Sequence, residues 1–129
     1  MNKILVEVSV GELLDKISIL EIKIEKIKDL EKLKFINDEY NILKDQLNKN
    51  VKSDDKLDKF FQSLKKINAK LWVIEDDKRL FEKNSDFGEK FTKLSRDVHF
   101  LNDDRAKIKL EINNHTGSKI KEIKKYTNY

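Results

Sequence analysis

No proline occurs in the 129 residues, there are only three glycines, and apolar side chains recur at alternating spacings of three and four along most of the chain. Proline breaks helix interiors, because its ring removes an amide donor and collides with the preceding turn. A chain without it, patterned at the helical period, is directed towards long amphipathic helices and away from sheets, whose strands alternate every second residue. The expected fold class is all-α, an antiparallel bundle of three to four long helices. Its length fits one domain of ordinary size, here 1–129 as a single helical bundle.

Lys3-Ile4-Leu5-Val6-Glu7-Val8 is rich in β-branched residues and too short for a helix, so residues 1–9 are expected to form an extended segment or a short β-strand. Ser9 and Glu12 match a capping box, which starts the first helix at Val10. Its apolar stripe reads Val10, Leu13, Ile17, Leu20, Ile24 and Ile27, while Ile19 and Ile22 lie on the opposite side. A helix greasy on two faces belongs between neighbours. Asp29 can cap a second helix over about 30–49, with a break or kink before it. After a polar loop, Ser53 or Asp54 can cap a third helix striped by Leu57, Phe60, Leu64, Ile67, Leu71, Ile74 and Phe81. A turn at 84–88 leads to a fourth, striped by Phe91, Leu94, Val98, Leu101, Ile108 and Ile112 and ending near Asn114. Residues 115–129 read as a basic tail with at most one further helical turn.

Polar residues intrude on the last two stripes. Wound at about 100° per residue, Asn68, Glu75, Arg79 and Glu82 fall inside the apolar arc centred on Leu64, and Asn102, Arg105, Lys109 and Asn113 inside the arc centred on Phe91. A hairpin closing near residue 85 sets Asn68 level with Asn102. Asp15, Lys16, Glu21 and Lys23 lie at the edges of the first helix's stripe. Buried ions are costly unless paired. This layer is therefore either an internal network that fixes helix register or a cleft where cations meet an anionic small molecule. Asn68, Glu75, Arg79, Asn102, Arg105 and Lys109 are the candidate ligand-binding residues. No catalytic residue is assigned.

Several blocks in order, Val8 to Lys23, Leu71 to Asp76, Asn102 to Lys109, Ile112-Asn113 and Gly117-Ser118, resemble an uncharacterised bacterial and phage family of small helical domains of unknown function. The resemblance spans nearly the whole chain and implies a complete domain. It brings no established activity. That family's pattern expects a breaker such as proline after Asp29, where this chain has Leu30.

Composition narrows the chemistry. Without cysteine there are no disulfides, thiolate metal sites or cysteine nucleophiles, and His99 and His115 are the only histidines. No metal or other cofactor is expected. Glu75-Asp76-Asp77 and Asp103-Asp104 are acidic clusters whose carboxylates mostly point outward, which disfavours a magnesium site of the nucleotide-hydrolase kind. A chorismate-type mutase or lyase agrees in architecture alone. Lysines near the C-terminus with Tyr126 and Tyr129 form a basic end, but the net charge is only +4 and Glu111 and Glu122 interrupt the run, so nucleic acid is not an expected partner. No apolar run approaches a membrane span and no signal peptide is read, so a cytoplasmic location is expected. Heptad-like helices, as in coiled coils, together with the lone N-terminal segment, favour a non-enzymatic interaction or assembly module, through self-association or a protein partner. The alternative is a small helical enzyme or binding protein acting on an anionic metabolite. Whether the chain is an enzyme is left open, leaning to no.

Overall fold

Four side chains or backbone positions set the helix limits. The computed structural model describes residues 2–125. The Ser9 hydroxyl accepts from the Glu12 amide at 3.0 Å and opens α1, Val10–Lys26. Asp29 accepts from the Glu31 and Lys32 amides at 3.0 and 3.2 Å and opens α2, Leu30–Asn50. The backbone is extended at Ile27 and at Asp29, so the break forms without a proline, and α1 and α2 are two helices. Asp54, rather than Ser53, caps α3, Asp55–Lys83, by accepting from the Leu57 amide at 2.7 Å. Gly117 ends α4, Glu89–Thr116, in the left-handed region at φ 65°, where a side chain would be strained.

Helices α3 and α4 form a long antiparallel hairpin, α1 lies across it, and α2 approaches the backbone of α1 alone. Because α1 is clasped from several sides, both of its expected apolar faces are covered: Leu14, Ile17, Leu20 and Ile22 are all buried. Leu14, Leu57, Leu64 and Ile112 make the core, with Val10, Leu47, Val51, Phe60, Phe61 and Ile108 packed around it. Helix α2 buries no residue completely.

Two expectations need correction. The N-terminal β-strand is not formed: residues 2–9 carry neither helix nor strand, and Ile4, Leu5 and Val6 are exposed. A lone segment in an all-helical chain finds no sheet edge to pair with, so its β propensity goes unused. The extra helical turn is also absent from residues 118–125, while Tyr126 and Tyr129 lie outside the described residues.

The core occupies only one half of the hairpin. α3 has 29 residues and α4 has 28, against 17 in α1. At about 1.5 Å per residue, a hairpin of roughly 43 Å is crossed by a helix of roughly 25 Å. Buried positions stop at Leu71 on α3 and begin at Lys109 on α4. The stripe positions Ile74, Phe81, Phe91, Leu94, Val98 and Leu101, beyond that limit, are only partly buried. No helix is long and apolar enough to cross a membrane among the described residues.

Candidate functional site

Asp15, on α1, is the centre of the buried polar layer. Its side chain is 2% exposed and takes four donors or cations from two other helices. The Asn68 amide nitrogen donates to Oδ1 at 2.9 Å and also to the Ser18 hydroxyl at 2.8 Å. The Arg105 guanidinium donates through Nε to Oδ1 at 2.9 Å and through Nη2 to Oδ2. The Lys109 ammonium stands 3.8 Å from Oδ2. Ser18 donates its own proton to the Asp15 carbonyl at 2.7 Å. Lys109 also donates to Glu12 at 2.6 Å and to Glu122 at 3.1 Å, reaching α1 and the tail together.

The electrostatics follow from this pairing. The hydrogen bonds to Asp15 outweigh partial burial and hold Arg105 more firmly protonated than usual. For Lys109, burial opposes the charge, but Glu12, Asp15 and Glu122 together overcome it and raise its pKa. Donation from Lys124, then from Lys109, lowers the pKa of Glu122. Among the described residues no buried side-chain nitrogen or oxygen lacks a partner. The layer is thus a closed network: an incoming anion would have to displace Asp15 from a bidentate pair.

The start of α1 is closed in the same way. The first amides of a helix have no intrahelical acceptor and commonly bind anions. Here the Val10 amide donates to the Ser118 hydroxyl at 3.1 Å, the Gly11 amide to Asn113 Oδ1 at 2.7 Å, and the Glu12 amide to Ser9. Gly11 permits this crossing, because a Cβ built there would lie 2.6 Å from the Lys109 carbonyl oxygen.

An open groove of about 350 Å³ adjoins the network. Arg105 and Asn68 form its inner wall, Ile19 and Ile22 of α1 one side, and Trp72, Glu75, Asp76 and Arg79 the other. Four of the six candidates, Asn68, Glu75, Arg79 and Arg105, therefore line one groove. With two guanidiniums and two carboxylates on its walls, the groove is charge-balanced rather than an anion trap. No three His, Asp or Glu side chains come together as a metal-binding group among the described residues.

Residues 4–129 match a known family, the family of unknown function DUF6165. The chain belongs to that family. No curated protein and no solved structure matches it.

The sequence-predicted candidates divide in two. Asn68 and Lys109 are buried and Arg105 is partly buried, all three in the network. Glu75 and Arg79 are exposed on the groove wall opposite Ile19 and Ile22 of α1, and Glu82, further towards the turn, is exposed as well. Asn102 is only partly buried and stands outside the network: Asn68 bonds to Asp15 and Ser18 instead. Trp72 is partly buried, and its indole N–H finds no network partner among the described residues. Asp15, Ser18 and Glu122 were not among the candidates. Leu14 and Ile17 flank Asp15 on a helix apolar on two sides, and that was the signal for its burial.

Proposed function

We propose that this chain is a non-enzymatic interaction module whose packed root holds out the distal half of the α3–α4 hairpin as a binding surface. The observation that carries this reading is that none of residues 72–108 is buried, although Val73, Leu80, Phe87 and Phe100 sit there about half exposed. Apolar surface left in water forgoes roughly 25 cal/mol per Å², and grouped patches of it mark interaction sites. A closed polar network at the root suits a scaffold, since it fixes how the helices cross without offering a reactive group. The test is a photo-reactive phenylalanine analogue at position 73, irradiated in cells that express the chain. Adducts that form, and that disappear when Phe100→Lys is added, are the expected result. A chain that stays free of adducts under irradiation overturns the reading.

A second reading is a binding protein or enzyme for an anionic metabolite, seated in the groove beside Trp72. One observation favours it: Arg79 has no ion-pair or hydrogen-bond partner among the described residues. A rise in melting temperature with a phosphorylated or dicarboxylate metabolite, abolished by Arg79→Ala, supports it. The absence of any such shift across a panel of these anions removes it.

A further inference from the structure

On the face of the hairpin turned away from the Trp72 groove, α3 and α4 enclose an open groove of about 750 Å³. Val73 and Phe100, 49% and 48% exposed, are among its apolar lining. Lys66, Lys70, Asp77 and Asp97 are its charged residues. The register of the hairpin follows from Lys78, whose ammonium lies 5.7 Å from the centre of the Phe91 ring, so that positions whose numbers add to about 170 lie level. Phe100 is then level with Lys70, and Asp97 with Val73. Along the groove the charge changes sign: lysines lie towards the root, aspartates towards the tip, and the apolar pair between them.

That order is self-complementary. A two-fold axis crossing the groove between the levels of Lys70 and Val73 would set Lys66 of one chain against Asp77 of the other. That axis packs α3 on α3 and α4 on α4 of the second copy, so the Lys66–Asp77 pair forms twice, while Lys70 and Asp97, and Phe100 and Val73, meet only diagonally across the groove. Lys66, Lys70 and Asp77 have no ion-pair partner among the described residues. Asp97 has only a loose pair, 3.7 Å from Lys93, whose side chain is 80% exposed. Isologous interfaces require a patch that complements itself under two-fold rotation, and charge order of this kind selects the partner and suppresses alternatives. We infer that this groove seats the same groove of a second copy of the chain, so that two hairpins form an antiparallel four-helix bundle. This rests on the interaction-module reading and names its partner.

Charge reversal tests it. The variant K66E/K70E has only acidic charges in the groove, and D77K/D97K only basic ones, so each should repel itself and attract the other. Sedimentation velocity at moderate salt is expected to give a dimer for the unmodified chain. Each variant alone should be monomeric, with at least about a tenfold loss of affinity, and an equimolar mixture should again give a dimer. Unchanged helical circular dichroism in both variants shows that they fold. An unmodified chain that sediments as a monomer at every concentration overturns the inference, and so do variants that dimerise as the unmodified chain does. Adducts from position 73 that contain another protein instead of a second copy overturn it too, while leaving the interaction-module reading standing. An absence of adducts overturns both.

Discussion

Asp15 and Arg105 face each other in parallel, Nε and Nη2 of the guanidinium donating to the two oxygens of one carboxylate. Asn68 shares one of those oxygens and Lys109 lies near the other, so a single acidic side chain serves three donors from α3 and α4. Removing it strands Arg105, whose side-chain bonds all go to Asp15, and takes one acceptor each from Asn68 and Lys109. Asp15→Ala is expected to cost about 3–5 kcal/mol, the usual penalty for breaking a buried pair from one side. The triple variant Asp15→Leu, Asn68→Leu, Arg105→Met removes donors and acceptor together and leaves Lys109 with Glu12 and Glu122. It should recover most of that loss in urea unfolding. A triple variant no more stable than Asp15→Ala would mean that the network contributes net stability beyond pairing.

At the α1–α4 crossing the tolerance is smaller than one methyl group. Gly11→Ala drives a Cβ towards a backbone carbonyl, which cannot rotate away. The expected loss is about 1–3 kcal/mol, typical of overpacking, although alanine is the better helix former. Thermal unfolding checks it. A stabilised Gly11→Ala protein would show that the helices part freely there.

Acid should loosen the root before alkali does. Asp54 is held ionised below its usual range, first by the Leu57 amide and then by His115, and Glu122 by Lys124 and Lys109. With folded pKa values lowered, the unfolded chain takes up protons first. Their contribution is therefore complete above the ordinary carboxylate range and is lost as pH falls through the lower folded values. Lys109 has the opposite sign: its pKa is raised, so its contribution is complete below the ordinary lysine value and is lost only as pH rises through a higher one. Melting temperature should hold steady near neutrality and fall below about pH 4. Glu122→Gln should flatten part of that fall, and an unchanged acid slope in this variant would contradict the assignment.

Hydrogen exchange should divide the hairpin. None of residues 72–108 is itself buried, whereas α1 and the root of the hairpin enclose the core. Protection is expected to be highest in α1 and in the root segments and lower towards the turn, with α2 also low because it buries no residue. The two-fold pairing of hairpins adds protection only along the groove, in 66–77 and 94–101, and that added protection should grow with protein concentration while the tip stays low.

Local chemistry made the helix limits legible, and long-range packing hid half of the site. Ser9, Asp29 and Asp54 act on amides two or three residues away, which sequence spacing reports directly. Asn68 and Lys109 were recognisable as inward because they lie within apolar stripes. A helical wheel gives the direction of a side chain but not whether anything covers it. For that reason the wheel sets Glu75 and Arg79 on the same arc as Leu64, although the core does not extend so far. Asp15 lies at the edge of α1's main stripe, and spacing along one helix does not report which donors from other helices converge there. Contacts from both α3 and α4 put that edge in the middle of the network.

The bond from the Val10 amide to Ser118 spans 108 positions, and the neighbouring bond from Gly11 to Asn113 spans 102. α1 is therefore made well before the acceptors of its own opening turn, Asn113 and Ser118, have been translated. Until then a nascent chain would expose two bare amides and a helix apolar on two sides. Contacts so distant in sequence slow folding, and a cell making this protein would have to keep that helix from other chains until residue 118 had emerged.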